Sequence, residues 1–146
     1  MNKTIFLVED NSSDADLTRR ALAKGRISSD LVVAEDGQEA LDYLRGEGAY
    51  AGRNISETPA LVLLDLKLPK VSGLEVLRLI RADPRLRRIL VVILTSSKEE
   101  EDVGAGYDLG VNSYVRKPVD FKEFQVAIEN LGLYWLMINE PNPPVS

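Results

Sequence analysis

The hydrophobic residues of the chain fall into five short runs that alternate with longer amphipathic segments. The runs cover residues 4–8, 31–34, 61–64, 89–94 and 113–116. Most of them lack the apolar–polar alternation of a half-exposed strand, which is typical of strands buried on both faces. Strands that alternate with helices predict a parallel sheet covered by helices on both sides, which is an α/β fold.

The third run leads directly into a carboxylate. Residues 61–64 are followed by Asp65, and Pro69 and Gly73 come shortly afterwards. An unpaired charge is costly to bury, so Asp65 is not placed there for packing. It either caps the turn that follows the strand or points into a crevice where it takes part in chemistry.

The segments between the runs carry residues that begin and end helices. The predicted capping residues are Ser13, the pair Asp36 and Glu39, and the pair Asp120 and Glu123. Gly25 fits the C-terminus of the first helix, and the third helix is expected to end before Asp83, which precedes a proline. The fourth helix, beginning at Lys98, contains Gly104 and Gly106. Each glycine destabilises a helix by up to about 1 kcal/mol relative to alanine, so we expect the fourth helix to have low stability.

Several segments outside the strands allow two interpretations. Residues 46–58 form either a solvated loop or a loop that contacts a partner. The five arginines within residues 78–88 provide favourable charge at a helix C-terminus or contact nucleic acid. Residues 133–138 are apolar on almost all sides, so they pack against their own domain or against another molecule. Before them, the last helix has an apolar seam formed by Phe121, Phe124, Ile128, Leu131 and Trp135. The proline-rich tail, residues 139–146, is predicted to be extended, and residues 1–146 are predicted to form one domain.

The composition removes several kinds of chemistry. The chain of 146 residues has no cysteine and no histidine, which excludes a disulfide framework, a thiolate nucleophile and a histidine general base. A metal ion must therefore be bound by oxygen, which favours a hard cation such as Mg²⁺. The net charge of −5 argues against a nucleic-acid surface. No apolar run approaches the roughly 20 residues of a membrane span, and the first run stops at Glu9, so we expect no signal peptide and a cytoplasmic protein.

Polar residues follow four of the five predicted strands. They are Glu9 and Asp10, Asp65, Thr95 and Lys117. The carboxyl ends of parallel strands meet at one edge of a doubly wound sheet, where ligands bind. Carboxylates that lie close together repel one another unless a cation such as Mg²⁺ is bound, and a hydroxyl and an ammonium suit a phosphoryl group. With no Ser–His or Cys–His pair, the available nucleophile is a carboxylate, which gives an aspartyl phosphate.

Taken together, these residues resemble the receiver domain of two-component response regulators. The resemblance covers about residues 4–132 and rests on the following motifs: Glu9-Asp10, Asp65 with Pro69 and Gly73, Thr95-Ser96, and Tyr114 three residues before Lys117-Pro118. It implies a doubly wound (βα)5 sheet with the flavodoxin-like strand order 2-1-3-4-5. It also implies a regulatory phosphoacceptor, not a dedicated enzyme.

The resemblance implies a phosphoacceptor and a metal site. Asp65 would take the phosphoryl group from the phosphohistidine of a sensor histidine kinase. Asp10 would bind Mg²⁺ directly together with Asp65, Glu9 would act through water, and the backbone carbonyl of Lys67 would complete the site. Glu9 stands where many family members have aspartate, and Lys67 occupies a position that tunes dephosphorylation in the family.

It also implies roles for the residues around the phosphoryl group. Lys117 and Thr95 would each bind a phosphoryl oxygen, and the Lys117–Pro118 peptide bond would be cis. Thr95 and Tyr114 would form the switch, in which Tyr114 swings inward and reshapes the face made by the fourth helix, the last strand and the last helix.

The long loop around residues 46–53 and residues 131–135 resemble the small stand-alone regulators that pair with bacterial phytochromes. This second resemblance implies a phytochrome-type kinase partner and a homodimer through the last strand and helix. It also implies no direct nucleic-acid binding and no membrane insertion.

Three alternatives remain open on the sequence. An aspartate-nucleophile phosphatase has a similar sheet, although such enzymes need an acid two residues after the nucleophile, where this chain has Lys67. A degenerate receiver would mediate contacts only, but would have lost site residues. A flavin or nucleotide binder would need a glycine-rich loop after the first strand, which this chain does not have.

Overall fold

The five apolar runs form a single parallel sheet. The computed structural model describes residues 3–25, 29–96 and 100–143. Its strands are β1 Lys3–Val8, β2 Ser29–Ala34, β3 Leu61–Leu64, β4 Val91–Thr95 and β5 Ser113–Arg116. They lie in the order β2-β1-β3-β4-β5, which confirms the predicted doubly wound fold. Strand β4 begins later than predicted because residue 89 lies in the preceding turn, where its N–H donates to the Leu86 carbonyl at 3.1 Å.

Five helices accompany the strands: the first four connect successive strands, and the fifth follows the last strand. They are α1 Ser12–Lys24, α2 Gly37–Arg45, α3 Gly73–Ala82, α4 Glu100–Asp108 and α5 Phe121–Gly132. A short 3₁₀ turn, Gly48–Tyr50, lies within the long loop, and α5 continues into a π-helical turn, Leu133–Ile138. The predicted start of α4 at Lys98 lies outside the described residues. Within the described ranges, every helix is too short or too polar to cross a bilayer.

Alternate residues of the strands supply two hydrophobic cores, one on each face of the sheet. From β1, Phe6 and Val8 face the core formed with α2 and α3. Ile5 and Leu7 face the opposite core, which α1 and α5 cover. Both sets are almost completely buried, because side chains alternate between the two faces of a strand. The helices therefore cover the faces of the sheet and leave the ends of its strands accessible.

Two of the three predicted helix caps form as expected. The carboxylates of Asp36 and Asp120 each accept a hydrogen bond from the backbone N–H three residues later, at 2.7 and 3.1 Å. The prediction for α1 is wrong: its cap is Asn11, whose side chain accepts the N–H of Asp14 at 3.0 Å, and Ser13 lies inside the first turn. Because an Asn side chain caps as well as Ser, α1 begins closer to β1 than expected.

The long loop between α2 and β3 is anchored to α2 at two points. The Tyr50 hydroxyl donates to the Glu39 carboxylate at 2.8 Å, and this acceptor raises the pKa of Tyr50 to about 12. The Arg53 guanidinium lies 4.2 Å from the centre of the Tyr43 ring and donates to the Tyr43 carbonyl at 2.7 Å. These two side chains therefore attach the loop to α2.

The C-terminal segment is only partly buried. Phe124 and Ile128 are buried as the seam predicts, but Phe121 is 57% exposed, because it occupies the first position of α5. In the π-helical turn, Leu136 is buried and its carbonyl accepts a hydrogen bond from Lys3. Most other apolar residues there are exposed, namely Leu133, Tyr134, Met137 and Ile138. The tail is fixed at Pro143, whose carbonyl accepts from Arg88 at 3.3 Å; residues 144–146 lie outside the described residues.

A close approach between α3 and the end of β3 fixes the position of Asp65. A Cβ atom built on Gly73 would lie 2.1 Å from the Asp65 carbonyl oxygen and 2.7 Å from the Leu66 Cα. Both of these are backbone atoms, so no side chain can move to make room. Glycine is therefore the residue that lets α3 begin directly behind the strand end.

We predict that Gly73→Ala lowers the free energy of unfolding by about 1–3 kcal/mol, because overpacking forces the backbone apart. Gly104→Ala is the matched control. Its Cβ would meet no atom within 4 Å, so we expect it to raise the stability by up to about 1 kcal/mol. Denaturant melts of both variants test the pair, and equal midpoints would contradict the assignment of Gly73 as a packing glycine.

Candidate functional site

The register of the sheet brings the predicted site residues to one edge. Val8 pairs with Leu64, so the residues that follow them, Glu9 and Asp65, emerge side by side. Thr95 ends β4 and pairs with Arg116, which places Lys117 at the same edge. The sheet thus brings together side chains that are more than a hundred residues apart in the sequence, as the strand-end argument predicted.

Asp65 is a buried carboxylate with three hydrogen-bond donors. One oxygen, Oδ1, accepts from the Leu66 N–H at 2.7 Å and from the Thr95 hydroxyl at 2.8 Å. The other, Oδ2, lies 3.2 Å from the Lys117 ammonium. Burial acts to raise the pKa of Asp65, but the charge of Lys117 and the hydrogen bonds from Thr95 and Lys117 outweigh it, so the pKa lies below its usual range. Asp65 is therefore ionised at neutral pH.

Glu9 is a second buried carboxylate, only 3% exposed. Its Oε1 accepts a hydrogen bond from Lys117, and its Oε2 accepts the Asn11 N–H at 3.2 Å. Burial raises the pKa of Glu9 to about 7, although the hydrogen bond and the charge of Lys117 act in the opposite direction. A carboxyl group that is this costly to ionise gains from any additional cation nearby.

Lys117 is the only ammonium that pairs with these acids within the described residues. It contacts Glu9, Asp14 at 2.9 Å and Asp65 at 3.2 Å. Burial acts to lower the pKa of Lys117, but the three carboxylates more than compensate and raise it, so the side chain stays charged. Because an ammonium has three N–H donors, these contacts use all of them.

Asp14 is a site residue that the sequence argument missed. It lies in the first turn of α1, four residues after Asp10. An acid in that position is ordinarily explained by the positive end of the helix dipole. Its approach to Lys117 depends on where α1 starts relative to β5, which the sequence does not reveal.

Three carboxylates form a group that fits a divalent cation. Oxygens of Glu9, Asp10 and Asp65 all lie within 4.8 Å of one another. Glu9 and Asp65 are buried, and Asp10 is exposed at the opening. This all-oxygen set suits a hard ion such as Mg²⁺ or Mn²⁺. The predicted contribution of the Lys67 carbonyl stays a prediction.

The predicted switch residues lie on neighbouring strands. Thr95 is completely buried and already bonded to Asp65. Tyr114 is half-buried and pairs in register with Ile93. Its ring lies close to Gly106 in α4, since a Cβ atom built on this glycine would be 3.4 Å from the ring. The switch itself stays a prediction.

The predicted cis bond between Lys117 and Pro118 is wrong. Every peptide bond within the described residues is trans, which is the form that an X–Pro bond favours by about 0.5–1 kcal/mol. Here the Lys117 N–H donates to the Thr95 carbonyl at 2.7 Å. This hydrogen bond extends the β4–β5 ladder by one residue and places Lys117 at the same strand end as Thr95.

Comparisons with known proteins agree with this geometry. A family model described as the response regulator receiver domain matches residues 5–129. The response regulator Rcp1 of Synechocystis sp. is 40% identical over 134 residues, which cover 92% of this chain and 89% of Rcp1. The Mn²⁺-bound form of Rcp1 matches with a TM-score of 0.89, at 38% identity, and covers 97% of this chain and 99% of that chain.

Two further structures extend the match. The phosphorylated cyanobacterial phytochrome response regulator RcpA is 41% identical, with a TM-score of 0.91 over 98% of this chain and 100% of RcpA. The bacteriophytochrome response regulator RtBRR is 52% identical, with a TM-score of 0.77 over 99% of this chain and 87% of RtBRR. The predicted resemblance to phytochrome-linked stand-alone regulators is confirmed. Strand order, site geometry and sequence similarity agree, and the chain belongs to the response regulator receiver domain family.

Proposed function

We propose that this protein is a phosphorylation-controlled regulator in which Asp65 accepts a phosphoryl group from a sensor histidine kinase in a Mg²⁺-dependent reaction. The observation that carries the proposal is the environment of the Asp65 carboxylate. It has the donors Thr95 and Lys117 on its two oxygens, and it shares a metal-sized cluster with Glu9 and Asp10. Phosphoryl transfer needs little beyond such positioning and charge neutralisation.

The chemistry follows from the ionised state of Asp65. A carboxylate oxygen attacks the phosphorus, the N–P bond of the kinase phosphohistidine breaks, and the imidazole leaves with the electron pair of that bond. Lys117 and Thr95, which now hold the Asp65 oxygens, then donate to oxygens of the attached phosphoryl group. A bound Mg²⁺, held by Asp10, Asp65, Glu9 and the Lys67 carbonyl, would neutralise charge on the transferring group.

The phosphatase alternative is less well supported by the residues of the site. Lys67, two positions after Asp65, is an exposed cation, where an aspartate-nucleophile phosphatase needs an acid to activate water and the leaving group. Glu9 and Asp14 are bound to Lys117 and are not available for that role, and we assign Asp10 to the metal ion. The protein thus acts as a phosphoacceptor that assists its own phosphorylation and dephosphorylation.

The output of the proposed switch is the face formed by α4, β5 and α5. Thr95 moves toward the phosphoryl group, and the half-buried Tyr114 ring, next to Gly106 of α4, follows it inward. Gly104 and Gly106 weaken α4, which lowers the cost of moving it. Phosphorylation at one end of the sheet is thereby converted into a new surface on one side of the molecule.

The proposed partners follow from the exposed surface and from the relatives. Exposed apolar side chains occur on α4, before and within α5 and on the π-helical turn, namely Tyr107, Val119, Phe121, Val126, Leu133, Tyr134, Met137 and Ile138. Exposed apolar clusters mark interaction sites, so we propose a homodimer through the last strand and helix. The relatives that are named phytochrome regulators support a phytochrome-type kinase as partner. We further propose a single cytoplasmic receiver domain over residues 1–146, with an extended tail over 139–146 and no direct nucleic-acid binding.

We predict that acetyl phosphate with Mg²⁺ adds one phosphoryl group to the protein, detected by intact mass, and that Asp65→Asn abolishes the adduct. Asp16→Asn is the matched control, because Asp16 lies on the exposed side of α1 and pairs with Arg20 at 3.0 Å. An undiminished adduct in Asp65→Asn would rule out Asp65 as the acceptor. The native kinase, once co-purified, should label the same residue.

We predict that Mg²⁺ raises the melting temperature of the unphosphorylated protein, because it binds the folded carboxylate cluster and not the unfolded chain. At a hundredfold excess over the dissociation constant, the stabilisation is about 2.7 kcal/mol. Asp10→Asn should remove most of this shift, while Asp16→Asn should keep it. A shift of the same size in Asp10→Asn would place the metal elsewhere.

The proposed dimer interface can be tested by introducing a charged residue on the exposed face of α5. Val126 in α5 is 53% exposed, so Val126→Glu should leave the fold intact. If Val126 becomes buried in the dimer interface, the substitution should weaken dimerisation by about tenfold. The control is Ala49→Glu, on the exposed 3₁₀ turn of the long loop. Small-angle scattering over a concentration series, with and without beryllofluoride, gives the dissociation constants. Equal constants for Val126→Glu and the wild type would contradict this interface.

A further inference from the structure

Asp14 contacts Lys117 but does not belong to the metal cluster. We propose that Asp14 is a positioning residue, which keeps the Lys117 ammonium beside Asp65 once a divalent cation has engaged Glu9 and Asp65. The inference rests on the proposed function and deepens it, since it assigns the residue that holds the phosphate-binding lysine in place during phosphoryl transfer.

The backbone of Asp14 is fixed on both sides. Its N–H donates to the Asn11 side chain at 3.0 Å, and its carbonyl accepts the Thr18 hydroxyl at 2.8 Å. From this position its Oδ2 reaches the Lys117 Nζ at 2.9 Å, closer than the 3.2 Å between Lys117 and Asp65. The contact is therefore made from a rigid helical turn and not by a mobile surface side chain.

The three partners of Lys117 are not equivalent. Glu9 and Asp65 belong to the carboxylate cluster that fits a metal ion, whereas Asp14 is outside it. A bound divalent cation attracts the oxygens of Glu9 and Asp65 and repels the ammonium. Among the described residues that contact Lys117 through a carboxylate, Asp14 is then the one whose charge is not shared with the cation.

This arrangement has a consequence for the rate of phosphorylation. Lys117 must donate to a phosphoryl oxygen as charge develops there, and a donor that is already in place costs no reorganisation. Without the Asp14 charge, the long and flexible lysine side chain samples other positions, including solvent. Asp14 thus acts on the reaction through Lys117, without contact with the reacting atoms.

We expect Asp14→Asn to lower the initial rate of phosphorylation by acetyl phosphate, at saturating Mg²⁺, by about tenfold, the effect of one hydrogen bond between charged groups. Asp14→Glu, which keeps the charge, should recover most of this rate. Asp16→Asn, in the same helix turn but exposed and paired with Arg20, should match the wild type. Intact mass measures the adduct, and thermal melts report any change in folding.

A double-mutant cycle with Lys117→Met separates positioning from a general effect on α1. If Asp14 acts through Lys117, Asp14→Asn has no further effect on the rate in the Lys117→Met background. An equal loss in both backgrounds, a wild-type rate in Asp14→Asn, or no recovery in Asp14→Glu would each overturn the inference. If Lys117→Met does not fold, the phosphorylation rates of Asp14→Asn and Asp14→Glu still test whether the charge at position 14 is required. A wild-type protein that takes up no phosphoryl group would instead remove the proposed function.

Discussion

The structure depends on how one lysine compensates carboxylates that the fold has buried. Glu9 and Asp65 leave neighbouring strands side by side and are 3% and 8% exposed, and Lys117 contacts both. Removing one member of a buried ion pair typically costs about 3–5 kcal/mol, because the other charge is left unpaired. Lys117 therefore contributes to the stability of the fold as well as to the site, because it compensates two acids that are buried at the strand ends.

The rest of the architecture serves to keep this edge open while its backbone stays fixed. Helices cover both faces of the sheet and are held there by two hydrophobic cores. The ends of the strands are therefore the part of the sheet that solvent can reach. Gly73 lets α3 start directly behind Asp65, and Asn11 caps α1 immediately after the acids of β1. The close approach of Gly73 to the backbone of Asp65 limits movement of that strand end.

The sequence predicted the sheet and most of the site because both follow from local patterns. Unbroken apolar runs predict buried strands, and a polar residue at the end of each strand is carried to one edge by topology alone, which suffices for Asp10, Asp65 and Lys117. Asp14 was missed because its contact with Lys117 depends on the distance between α1 and β5, which is set by the tertiary structure and not by a local sequence pattern. The wrong prediction of a cis bond at Pro118 came from the family resemblance and not from the pattern of residues.

The charge balance of the site is also the reason for proposing that phosphorylation of Asp65 requires a metal ion. Within the described site, the carboxylates of Glu9, Asp10, Asp14 and Asp65 face a single ammonium. Burial raises the pKa of Glu9, which makes ionisation of all of these acids together more costly. A phosphoryl group on Asp65 replaces one negative charge by about two, which one lysine cannot compensate. A divalent cation held by these acids would supply the missing charge, which supports the proposed Mg²⁺ dependence of the reaction.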